Sequence, residues 1–204
     1  MGNCSATKER VAAAKKQSTK SVSENKKSLE FYSLGLKETK KENFQKAADY
    51  FEKAVHEDPA FAFAWDNLGI SYRRLDNYDK AIYAYNKSIA IDPNGLMPLQ
   101  NIAVAYVHKK EFDKAITAYE KLAEVDKNNP EVFYGLGNVL TMDLKEYEKG
   151  LDNMCKAYNL YTEQKSPYRT DAETIIRMIY VELKKQGKEL QFNKILNDNH
   201  INQN

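Results

Sequence analysis

From Leu29 onward the large apolar residues recur at helical spacing, and no stretch keeps the strict apolar–polar alternation of a half-buried strand. Trp65, Leu68 and Tyr72 fall on one face of a helix, and Ala81 and Tyr85 share a face further on. Short polar breaks separate these stretches at Glu42-Asn43, Asp76-Asn77 and Lys110-Glu111, residue types suited to ending one helix and starting the next. Asp58-Pro59 and Asp92-Pro93 are harder stops, because proline disfavours the α conformation in the residue before it. The pattern predicts an all-α chain of short antiparallel helices.

The pattern also repeats. Residues 62–95 contain Trp65, Leu68-Gly69 and Tyr72, then Ala81, Tyr85 and a late Asp92-Pro93. A shift back by a period of about 34 residues places Phe31, Leu34 and Gly35 on the first set and Ala47, Phe51, Ala54 and Pro59 on the second. A shift forward gives Leu99, Ile102, Ala103 and Tyr106, then Ala115 and Tyr119; another gives Phe133, Leu136 and Gly137, then Gly150, Met154 and Ala157 after one inserted residue near Asp143 to Glu146. These four units resemble the tetratricopeptide repeat, whose signature is Trp, Leu-Gly, Tyr, Ala, an aromatic and a late Pro at these spacings.

The resemblance implies a right-handed α-solenoid of stacked antiparallel hairpins, at 28–61, 62–95, 96–129 and 130–164. No single hairpin buries its apolar face alone, so stability is a sum of nearest-neighbour terms and the end needs a cap. Ile175, Ile176, Ile179, Tyr180 and Leu183, then Gly187, then Leu190, Ile195 and Leu196 predict a capping helix pair or degenerate fifth repeat over 165–197. Residues 198–204 are expected to fray. Most of the 14 tyrosines sit at seam positions and are expected to be packed.

In that family the first helices of successive hairpins line a concave groove that binds another protein or peptide. The resemblance therefore implies groove side chains at Tyr32, Ser33 and Leu36; at Phe63, Asp66, Asn67, Ile70, Arg73 and Arg74; at Met97, Gln100, Asn101, Val104 and His108; and at Tyr134, Asn138 and Met142. Asn67 and Asn101 occupy the same place in adjacent units, where amides that both donate and accept can hold the backbone of an extended segment. Arg73 and Arg74 suit an acidic side chain or terminus. A family subtype clamps the C-terminal carboxylate of heat-shock chaperones with Lys, Asn, Asn, Lys and Arg. The matching positions here are Tyr32, Leu36, Asn67, Met97 and Asn101, and only Asn67 fits. Starting one repeat later gives Asp66, Ile70, Asn101, Glu131 and Gly135, again with a single Asn, so no such clamp is expected.

Charge adds a boundary. The 31 basic and 29 acidic residues nearly cancel, which argues against nucleic acid as the main partner. Residues 1–27 are basic and polar and predict a flexible tether. The opening Met1-Gly2-Asn3-Cys4 allows acylation at Gly2 or Cys4, a lipoprotein-like Cys4 anchor, or an ordinary terminus. Localisation is accordingly either membrane-tethered or cytoplasmic. Cys4 and Cys155 are too far apart for a disulfide framework, and His56, His108 and His200 have no ligand-spaced neighbours. No catalytic residue, metal site, cofactor or transmembrane span is expected. The reading is a non-enzymatic interaction scaffold; the alternative is a self-assembling or envelope-organising protein, for which Cys4 or Gly2 offers a lipid anchor. A polymer-binding surface on Trp65 would require that ring to be exposed.

Overall fold

The computed structural model describes residues 23–201, and every regular element among them is helical. Ten α-helices follow in order: α1 (Lys26–Lys40), α2 (Phe44–Glu57), α3 (Ala62–Arg74), α4 (Tyr78–Ile91), α5 (Leu96–His108), α6 (Phe112–Val125), α7 (Pro130–Asn138), α8 (Tyr147–Glu163), α9 (Arg169–Lys185) and α10 (Glu189–Asp198). A π-helical turn, Val139–Asp143, stands between α7 and α8. The first helix starts before Ser28, because the Asn25 side chain accepts from the Lys27 and Ser28 backbone N–H groups and so caps it. Lys26 and Lys27 thus belong to α1 and not to a tether. Gly2, Cys4 and the rest of residues 1–22 lie outside the described residues.

Turns inside the hairpins share one device. Glu42, Asp76, Lys110 and Lys145 all adopt positive φ, from 57° to 60°. The residue after each left-handed position can then bond back into the last turn of the preceding helix, five residues back for Asn43 N to Glu38 O (3.0 Å) and Asn77 N to Tyr72 O (2.9 Å) and six for Glu146 N to Leu140 O (2.7 Å). The first three positions are 34 residues apart and the last is 35 on. The inserted residue is therefore taken up before Lys145, in the π-helical turn, where Leu144 N bonds to Val139 O (3.1 Å) in the i→i+5 pattern. The turn begins four residues before the Asp143–Glu146 stretch expected from the sequence and overlaps it at Asp143.

The chain divides into two compact units, up to Lys109 and from Lys110 on. In the first, α1 pairs with α2 and α3 with α4, while α5 packs on α4. Small residues set the helix separation. A Cβ on Gly35 would lie 2.5 Å from the Phe51 ring, and one on Gly69 would lie 2.4 Å from the Tyr85 ring. Phe51 and Tyr85 are both fully buried, each worth roughly 1.5–3 kcal/mol of burial.

In the second unit α8 is the hub. Leu151, Met154, Cys155, Ala157 and Tyr161 meet Ala172, Ile175, Ile179 and Leu183 of α9 and Phe192, Ile195 and Leu196 of α10. Gly187, at φ 72°, turns α9 into α10. The chain does not fray at residue 198. Asn199 Nδ2 donates to Asp152 Oδ1 (3.0 Å), its carbonyl accepts from Asn159 Nδ2 (2.8 Å), and Ile201 packs on the α8–α10 core. Only residues 202–204 of the expected tail lie outside the described residues.

Cys155 has 0% exposure, and burial pushes its thiol up to about 12, with Asp152 adding to the effect. Because the thiolate is the reactive form, a Cys4→Ser protein should give no alkylation at pH 8 until denaturant is added. Labelling of the native protein would contradict the α8–α9 packing.

Candidate functional site

The first helices α1, α3 and α5 carry most of the expected groove residues, all within the first unit. Tyr32 stands on a floor of aromatic rings, 4.7 Å from Phe61 and 5.6 Å from Phe51. Its hydroxyl accepts from Asn67 Nδ2 (3.2 Å), and the same nitrogen donates to the Phe63 carbonyl (2.8 Å). The Asn67 donor group is thus used within the chain, leaving Oδ1 uncommitted. Asn101, one repeat later, is half-buried and makes no side-chain bond among the described residues. Phe63 and Met97 are exposed by 38% and 52%, while Leu36, Ile70, Gln100 and Val104 are half-buried.

Three expected groove residues face elsewhere. Asp66 is only 4% exposed and has an Oδ1 without a hydrogen-bond partner. Burial pushes its carboxyl up to about 6; the Ser88 hydroxyl opposes the shift and Asp92 adds to it. One residue beyond Trp65, it turns under α4 and away from the face. Arg74 lies over the Phe44 ring at 4.9 Å, and His108 stacks on Tyr78 at 4.9 Å and 10°. The two contacts are the same contact one repeat apart, so these side chains tie a first helix to the preceding second helix. Arg73 is half-buried, and its Nε has no partner. It lies against Tyr85, whose phenol burial pushes up to about 12 while Arg73 pulls it down.

In the second unit Tyr134 packs against the α8–α10 core and meets Tyr161 of α8 edge-on at 6.3 Å. Asn138 is half-buried and Met142 exposed. Of the 14 tyrosines, only Tyr83 and Tyr168 are exposed by more than half.

A crevice between α2, α3 and α4 in the first unit was announced by no sequence pattern. It has a volume of about 570 Å³ and is lined by Trp65, Leu68 and Tyr72 of α3, Glu52 and Val55 of α2, and Lys80 and Tyr83 of α4. Trp65 is half-buried; its indole N–H donates to the Pro59 carbonyl (2.9 Å) and its ring meets Tyr83 edge-on at 6.0 Å. Tyr72 donates to the Glu52 carboxylate. The one available signal was the run of aromatics at seam positions, and seam residues read as core.

Among the described residues no group of three His, Cys, Asp or Glu side chains is placed to hold a metal ion, and no helix is long and apolar enough to cross a membrane. Residues 62–94 match the family model described as Tetratricopeptide repeat, and residues 103–142 match one described as TPR repeat. This is a tetratricopeptide-repeat protein. No curated protein matches the chain. Among solved structures, the repeat chain is similar to the MamA RS-1 ArsTM double mutant, at TM-score 0.72 and 16% identity over 87% of this chain and 97% of that one. It is also similar to MamA 41-end from Desulfovibrio magneticus RS-1, at TM-score 0.69 and 15% identity over 87% and 96%. The first TPR of Spaghetti (RPAP3) bound to HSP90 peptide SRMEEVD superposes at TM-score 0.56 and 22% identity over 59% of this chain and 95% of that one. At these identities the likeness is one of fold: the tetratricopeptide-repeat protein is all-α, built of stacked helical hairpins.

Proposed function

We propose that the face of α1, α3 and α5 binds an extended or helical segment of another protein. Tetratricopeptide-repeat proteins are protein-interaction modules, and one fold neighbour carries a bound peptide by its own description. The observation that carries the reading is the pairing of Asn67 and Asn101, with uncommitted amide atoms, beside the exposed apolar Phe63 and Met97. A few aimed polar groups among apolar contacts suit such a segment. Arg74 and His108 are held against Phe44 and Tyr78, which argues for a segment recognised along its length and against capture of a terminal carboxylate.

The test is capture from the native host with the full chain and with the Asn67→Ala/Asn101→Ala double variant. Two lost hydrogen bonds at about 1 kcal/mol each should weaken a specific partner roughly thirtyfold. Undiminished affinity of an identified partner for the double variant would remove this face as its site.

A further inference from the structure

The crevice beside Trp65 has a counterpart in the fourth hairpin, within the second unit. Phe133, Leu136 and Leu140 stand where Trp65, Leu68 and Tyr72 stood, Ala123 where Val55 stood, and Asp152 where Tyr83 stood. Smaller side chains at four of these five places open it into a groove of about 1090 Å³, with Ile195 of α10 among the residues that line it. Its long wall is α6, from Asp113 toward Lys127, a length of about 20 Å, or three to four helical turns.

The walls differ in charge. Along α6, Asp113, Glu120 and Glu124 are exposed, share one helical face and have no ion pair among the described residues. Glu120 and Glu124 are one turn apart, a like-charged pair that costs the free helix stability. On the α8 side the charges are satisfied: Lys149 pairs with Glu146 (2.5 Å), Lys156 with Asp152 (2.7 Å), and Glu148 with Lys188 (2.9 Å). Lys127 is the one lining lysine without a pair among the described residues. The groove thus presents an apolar trough beside a row of uncompensated carboxylates.

We propose that this groove docks a basic amphipathic helix of a partner protein. The apolar stripe of that helix lies on the half-buried Ile116, Phe133 and Leu144, with the buried Leu136 and Leu140 contributing only their edges, and its lysines or arginines face Asp113, Glu120 and Glu124. An acidic helix or a nucleic acid would meet repulsion there, and a fully apolar segment would leave the carboxylates unmatched. Its lining residues come from α6, α7, the π-helical turn, α8, α10 and the turns between them and include neither Asn67 nor Asn101 nor their neighbours, so it is independent of the face assigned to those residues.

The test uses the full chain and a fluorescent amphipathic peptide of Leu and Lys about four turns long, with its Glu-for-Lys counterpart as control, read by anisotropy. The Lys peptide should bind, the Glu peptide should not, and salt should weaken binding. Glu120→Lys/Glu124→Lys should reduce affinity at least about tenfold while leaving helical content unchanged, since both residues are exposed. Asn67→Ala/Asn101→Ala should leave binding of this probe intact. The proposal is overturned if the Lys peptide does not bind, if the Glu peptide binds equally well, or if binding survives the charge reversal and is lost in the Asn double variant.

Discussion

Gly69→Ala is expected to destabilise the first unit by about 1–2 kcal/mol, although alanine is the better helix former. The helix-propensity term favours alanine by about 1 kcal/mol. Against it, the new Cβ would lie 2.4, 2.6 and 2.9 Å from three carbons of the Tyr85 ring. That ring is fully buried and is not a flexible chain end that can swing clear. Overpacking of this kind costs roughly 1–3 kcal/mol, occasionally more, so the clash outweighs the propensity gain. Trp65 is the sole tryptophan and lies in the first unit, so its fluorescence during urea unfolding reports that unit separately from the second. Gly69→Ala/Tyr85→Leu should lose less than the sum of its single variants, because the leucine removes the obstacle. A raised midpoint for Gly69→Ala would mean that the seam is looser than the geometry requires.

Asp66→Asn is expected to stabilise the same unit by roughly 2–3 kcal/mol at pH 8. The folded-state carboxyl titrates at about 6 against an ordinary value of 3.8, with burial the leading cause. A pKa raised on folding means that the ionised carboxylate opposes folding, and about two units correspond to roughly 3 kcal/mol. That cost is fully present above pH 6, fades as the pH falls from 6 toward 4, and is absent once the group is protonated in both states. The stability difference between variant and parent should therefore shrink across that window and nearly vanish below pH 4. A difference that stays constant with pH would show that the gain comes from some other contact of the new amide.

The hairpins were legible because their signal is local and repeated. Trp65, Leu68 and Gly69 carry spacing information, and Phe31, Leu34 and Gly35 carry it again one period earlier. The close approach of Gly35 to Phe51 and of Gly69 to Tyr85 follows from that register. What the register leaves open is the direction in which a side chain leaves the edge of a face. Asp66, Arg74 and His108 stand at such edges, and each found something more favourable than open groove: Ser88 of α4, the Phe44 ring and the Tyr78 ring. The packing of Asn199 and Ile201 was illegible for a different reason. It depends on Asp152 and Asn159, some 40 residues away in the chain, and no local pattern announces a partner at that range.

The π-helical turn at Val139–Asp143 bears on how such a chain can change its length. One added residue in an α-helix rotates everything after it by about 100°, which would carry the fourth hairpin's second helix off its neighbours. Here the surplus is taken up as a single wide turn, and Lys145 resumes the same left-handed conformation as Glu42 and Asp76. The bulge is a gasket between two fixed phases. An inserted codon can therefore persist in a repeat array without forcing compensating changes in the hairpins on either side.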